Sequence, residues 1–306
     1  MRRKDLNAGM QEYIDLLLKE ERYSMAKSYQ DAWNSFIRFS GLSYIPYTFI
    51  NKDTLRRYEC YLLHNGCKRN TVSTYMRRLR CIYNRAVEQG DAPYVPRLFS
   101  DVFTGVESKC KRSLPLTELH KLMTVPVPRP ALRSTQLAIC LMFQYGGISF
   151  VDFAHLKKDN FQDDCLVYHR QKTGTTIQLE KLKSSLKMQS ELSHSTPALS
   201  PYVFPFLSGS KKGKDSYWEY QGALQSFNRH LKKLGEYAGI RSKVTSYSIR
   251  HSFANLLKEQ HVPIEVISEL LGHRSIRTTQ IYLRSFSLEY LRKTTESCFK
   301  KVYFHK

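Results

Sequence analysis

Apolar residues recur at helical spacing along the first third of the chain. Met10 to Leu18 is amphipathic, and Ser24 to Phe39 and Asp53 to Leu63 repeat the pattern. The clearest case is Val72 to Val87. There Val72, Met76, Leu79 and Tyr83 fall at i, i+4, i+7 and i+11 and draw one apolar stripe, with Asn70 standing where an N-cap belongs. Gly90, Pro93 and Pro96 break the pattern, and the stretch from Glu107 to Ser113 is polar and basic. The pattern thus predicts a helical domain over residues 1–105, a linker over 106–114 and a second domain over 115–306.

The second domain mixes periods. Gln136 to Tyr145 is an apolar helix that stops at Gly146-Gly147. Cys165 to Arg170 and Thr175 to Leu179 alternate around Lys172-Thr173-Gly174 and predict a β-hairpin. Two more helices surround Phe227 and Leu256. Gly272 ends a helix over 263–271, and Ser275 caps a short helix that carries Tyr282. The expected fold class is mainly α with a small antiparallel β-sheet, a helical N-terminal domain preceding an α+β domain.

Charge narrows the partner. The 306 residues hold 48 Lys plus Arg against 27 Asp plus Glu, a net charge of +21. Such an excess points to a polyanion, because neutralising phosphates releases counterions. Arg77, Arg78, Arg80 and Arg85 fall away from the apolar stripe of their helix, with no acid among them. They are read as phosphate contacts, the other reading being an ordinary solvated face. The seven cysteines form no C-x-x-C pair, which argues against a zinc site or a disulfide framework and for a reducing, cytoplasmic compartment. No apolar run is long enough to span a membrane, and residues 1–7 are basic without an apolar leader core.

The chemistry is concentrated between Thr245 and Arg284. Arg250 and His251 lie in T-S-Y-S-I-R-H-S, Leu271-Gly272-His273 follows about twenty residues later, and Thr278-Thr279-Gln280-Ile281-Tyr282 places a tyrosine nine residues after His273. This order and spacing resembles the C-terminal signature of the tyrosine recombinase (phage integrase) family. The resemblance implies a core-binding, SAM-like DNA clamp followed by the catalytic domain. It also implies Tyr282 as nucleophile, Arg250 and His273 as phosphate-binding groups, and Lys172, in Y-H-R-Q-K-T-G, as the hairpin lysine that protonates the leaving 5′-oxygen. Transesterification at phosphorus builds negative charge on its oxygens, which preorganised cations stabilise. The 3′-phosphotyrosine conserves the bond energy, so no metal, nucleotide or other cofactor is expected. Double-stranded recombination sites, a tetramer on DNA and accessory bending or directionality factors are the implied partners.

Two positions depart from the family's pattern. Tyr145 to Leu156 resembles its first motif, yet Ser149 stands where the first catalytic arginine belongs, and Tyr247 replaces the histidine of H-x-x-R. Recombinases of Bacteroidetes mobile elements look similar, with G-I-S-F and Y-x-x-R-H-S variants. Arg170, two residues before Lys172 and so on the same strand face, is the candidate replacement. Its alternative is an exposed strand arginine near DNA. His251 is read either as a packed helix residue or as a donor, and Asp152 either as a second-layer orienting group or as a helix cap. Phe286 to Phe299 forms a helix, docked on a neighbour or packed in cis. A degenerate recombinase that only occupies DNA, and a type IB topoisomerase, are the rival functions.

Overall fold

The computed structural model describes residues 5–107, 113–283 and 288–303. The side chains of Tyr282 and of residues 288–291, 293, 298 and 301 fall outside that description. The chain divides into two compact units, residues 1–109 and 110–306.

The first unit is a helical bundle of α1 (Leu6–Lys19), α2 (Tyr23–Ser40), α3 (Lys52–His64) and α4 (Arg69–Glu88). Asp5 starts α1 by accepting from the Ala8 N–H at 2.9 Å. The predicted stripe is the core face: Val72, Met76, Leu79 and Tyr83 are all buried, against Tyr29, Phe36, Leu55 and Tyr58. Asn70 is not the N-cap. Lys68 holds that position, and the Asn70 amide instead grips the backbone of Glu107, accepting from its N–H at 2.8 Å and donating to its carbonyl at 2.9 Å.

In the second unit α5 (Leu116–Thr124) and α6 (Pro130–Gln144) lead to the short α7 (Phe150–Ala154). A sheet of β1 (Phe161–Gln162), β2 (Cys165–His169) and β3 (Thr176–Glu180) follows, antiparallel in the order β1-β2-β3. Then come α8 (Lys183–Ser193), α9 (Gly213–Tyr237), α10 (Ser246–Glu259), α11 (Ile264–Leu270), α12 (Ile276–Tyr282) and α13 (Leu288–Tyr303). Helix α6 is apolar nearly all round because it is central, packed on α5, α8, α9 and α10. Phe153 is completely buried and stacks on Phe204 at 4.4 Å, a burial that contributes about 2 kcal/mol.

The hairpin pairs His169 with Thr176 and Tyr168 with Ile177. It corrects one expectation. Strand β2 ends at His169, and Arg170 closes the turn. Its N–H donates to the Thr175 carbonyl at 2.9 Å, and its own carbonyl accepts from the Gly174 N–H at 2.7 Å. The two-residue strand repeat therefore does not relate Arg170 to Lys172. Arg170 is 7% exposed, whereas Lys172 is exposed at the turn.

Candidate active site

Three segments of the second unit converge. The first follows α6, where Gly146 and Gly147 turn the chain at φ of +68° and +66° into Ser149, the N-cap residue of α7. Asp152, 3% exposed, is the hub rather than the cap. One carboxylate oxygen accepts from the Gln171 N–H at 2.8 Å. The other accepts from the Ser149 hydroxyl at 2.6 Å and pairs with Arg170 Nε at 3.5 Å. Asp152 so fastens the hairpin turn to the first motif, and Ser149 and Arg170 meet at one oxygen atom. Arg170 is thus a buried, ion-paired group rather than an exposed strand arginine.

The second segment is α10. Thr245 and Ser248 cap it reciprocally, each hydroxyl accepting from the other residue's backbone N–H. Arg250 follows, 1% exposed. Its guanidinium donates to the Gly147 carbonyl at 2.9 Å and to the Leu271 carbonyl, tying the first segment to the third. His251 is 8% exposed, and its ring meets that of half-exposed Tyr247 edge-on at 4.4 Å, so it is a packed helix residue next to Arg250.

The third segment is the end of α11. The His273 N–H donates to the Ser268 carbonyl at 2.9 Å and the Gly272 N–H to the Glu269 carbonyl at 2.8 Å, the paired bonds of a left-handed helix stop. Gly272 sits at φ +59°, and a Cβ there would lie 2.5 Å from Arg170 Cδ and 2.7 Å from Ile177 Cδ1. Only glycine lets Arg170 pass and donate to the Gly272 carbonyl at 2.9 Å. His273 Nδ1 is 2.9 Å from the Thr279 hydroxyl oxygen. Burial pulls the His273 imidazole down to about 4, with Arg250, Arg170, Lys172 and His251 adding to the effect. The ring is neutral at neutral pH and faces a field of cations.

The structure therefore brings Arg170, Lys172, Arg250, His251 and His273 together, with Tyr247 resting on His251. The backbone of Tyr282 ends α12, three residues after Thr279, and its side chain lies outside the described residues. Ser275 precedes α12 as N-cap without a side-chain bond. The four helix arginines lie in the first unit and divide into two pairs. Arg78 stacks on Tyr29 at 4.8 Å and Arg85 on Tyr13 at 4.6 Å, which commits them to the bundle, while Arg77 and Arg80 are exposed. Sequence reasoning overlooked Thr279, although the T-T-x-x-Y run marked it. It also overlooked the exposed face of α9, where Lys214, Trp218, Gly222, Gln225 and Arg229 line up at helical spacing.

Residues 112–289 match the Phage integrase family, and residues 5–96 match the Phage integrase SAM-like domain. The chain belongs to the phage integrase family of tyrosine recombinases. Tyrosine recombinase XerA of Thermococcus kodakarensis is 25% identical to this recombinase over 261 residues, 81% of this chain and 82% of that protein. A lambda integrase dimer bound to a COC′ core site shares the fold at a TM-score of 0.71, with 16% identity over 93% of this chain and all of the other. A lambda integrase tetramer bound to a Holliday junction matches at 0.70 and 16% identity, covering 94% of this chain and 80% of that one. Among the described residues, no helix of the recombinase is long and apolar enough to cross a membrane.

Proposed function

We propose that this site-specific recombinase cuts and rejoins duplex DNA with Tyr282 as nucleophile and with Arg170 in the role that the family gives to an arginine at Ser149. The Tyr282 hydroxyl loses its proton to water, its oxygen bonds to the scissile phosphorus, and the bond from phosphorus to the 5′-oxygen breaks. Arg250, Arg170 and the His273 N–H hold the phosphate oxygens, and Lys172 gives its proton to the leaving 5′-oxygen. A free 5′-hydroxyl then reverses the step and reseals the strand. The observation that carries the reading is the meeting of Ser149 and Arg170 at one oxygen of Asp152, which sets a buried guanidinium beside the missing one. Its test is covalent trapping on a nicked duplex; a chain that only occupied DNA would give no adduct.

The substrate is a pair of recombination sites bridged by four copies of the chain, in keeping with the lambda integrase tetramer on a Holliday junction. Exposed Phe299, Val302 and Tyr303 on α13 favour docking of that helix on a neighbouring copy. The G-I-S-F and Y-S-I-R-H-S segments favour the mobile-element subclass of Bacteroidetes, acting in the bacterial cytoplasm with accessory factors.

Duplex contact falls to Arg77 and Arg80 in the first unit and to the open face of α9 in the second. Gly222 supports the latter. A glycine inside a helix costs about 1 kcal/mol relative to alanine, and here a Cβ would meet nothing within 4 Å. Among the described residues no packing requires it, and close approach of a DNA backbone accounts for it. Changing Lys214 and Arg229 together to Gln should lower the slope of log affinity against log salt by about two. Fluorescence anisotropy over a salt series measures this, and an unchanged slope removes α9 from the interface.

A further inference from the structure

We propose that Thr279 is a positioning residue for His273, its hydroxyl deciding which imidazole nitrogen bears the proton and linking that choice to the helix that ends in Tyr282. The inference rests on reading His273 as a phosphate donor.

The two bonds at the end of α11 fix the His273 backbone, so only the ring remains to be oriented. Thr279 is 0% exposed, a position whose shape valine would fill equally well, yet its hydroxyl oxygen lies 2.9 Å from Nδ1. Among the described residues, Arg250 and His251 from α10 and Arg170 and Lys172 from the hairpin turn face the ring. They are donors or cations, and with burial they keep the ring neutral, with a single N–H to place. Left to itself among donors, such a ring turns a lone pair towards them and carries its proton on Nδ1. A phosphate oxygen needs the opposite arrangement, an N–H on Nε2. The Thr279 hydroxyl supplies it by donating to Nδ1, which excludes a proton there. Because Thr279 belongs to α12, this arrangement exists only while the helix bearing Tyr282 is seated on α11.

The test uses the full chain and a nicked duplex that traps the covalent intermediate, read in a single turnover at saturating protein. Thr279→Val keeps the shape and removes the hydroxyl; Thr279→Ser keeps the hydroxyl. Thr279→Val should be about tenfold slower and Thr279→Ser within about twofold of the parent, since losing the partner that orients an imidazole costs roughly 10- to 100-fold at metal sites. The deficit of Thr279→Val should persist from about pH 7.5 to about pH 5.5, because a ring that protonates only near 4 stays neutral, and so dependent on its tautomer, across that range. Nitrogen-15 spectra of the DNA-free chain, with the His273 signals assigned by their loss in His273→Gln, should show the proton on Nε2 in the parent and displaced towards Nδ1 in Thr279→Val. A parental rate in Thr279→Val, an equal loss in Thr279→Ser, a deficit that vanishes by about pH 5.5, or an unmoved tautomer would overturn the inference. Failure of the parent chain itself to form an adduct would instead overturn the proposed reaction, and the nitrogen spectra would still decide the tautomer.

Discussion

Tyr282→Phe forms no covalent complex with a nicked recombination-site duplex, while binding that duplex within about twofold of the parent affinity. The change removes one oxygen atom, the one that becomes bonded to phosphorus, and removal of an enzymatic nucleophile costs about 10⁴-fold or more in rate. Affinity rests on other groups. Most of it comes from cations that neutralise backbone phosphates, and Arg250, Arg170, Lys172 and the basic faces of α4 and α9 are untouched. A denaturing gel of the parent chain on a nicked substrate should show a slow, protease-sensitive DNA band, and the same gel for Tyr282→Phe should lack it. Persistence of the band would assign the nucleophile to another hydroxyl and detach α12 from the chemistry. Loss of binding together with the band would mean that the hydroxyl itself contributes to holding the DNA.

Elements that depend on local periodicity were legible in the chain. Val72, Met76, Leu79 and Tyr83 are spaced to share one helix face, and all four are in the core. Choices made by distant partners were not legible. Asn70 has the local preference of an N-cap, but the backbone of Glu107, 37 residues away, claims its amide. Arg78 and Arg85 look like members of a solvated arc until Tyr29 and Tyr13 are placed beneath them. Alternation carried the hairpin strand one residue too far, since nothing in the pattern reveals that the Arg170 carbonyl must accept the bonds of the turn. The site shows the same division. The order Arg250, Leu271-Gly272-His273, Tyr282 could be read from its resemblance to the C-terminal signature of the family. The reason for Gly272 could not, since it is the passage of Arg170, 102 residues earlier in the chain. The hydrogen bond between His273 and Thr279 spans a helix stop and a new helix start, which no repeat predicts.

Replacing Arg170 should slow strand cleavage by about 10²–10³-fold, the usual effect of deleting one charged donor to a transition-state oxyanion. Arg170→Ala alone is a poor probe of this, because Arg170 is paired with Asp152 at side-chain exposures of 7% and 1%. Leaving that carboxylate buried and uncompensated costs about 3–5 kcal/mol and weakens the joint between hairpin and first motif. Arg170→Lys avoids the difficulty. A lysine keeps the positive charge beside Asp152, so the fold and the melting temperature should largely survive. Its single ammonium lacks the planar fork that serves the carboxylate, the Gly272 carbonyl and a phosphate oxygen together, so cleavage should still fall steeply. An arginine that merely positioned the DNA backbone would behave otherwise: affinity and its salt slope would fall, and single-turnover cleavage at saturating protein would hold. The decisive variant is Ser149→Arg combined with Arg170→Ala. The Ser149 hydroxyl already donates to the Asp152 oxygen that faces Arg170 Nε, so an arginine there can take over the ion pair and reach the same phosphate. Recovery of at least tenfold in rate over Arg170→Ala, with recovered thermal stability, would place both guanidinium groups at one phosphate. Recovery of stability without any recovery of rate would reduce Arg170 to a support for Asp152 and leave the place of the missing arginine to another cation.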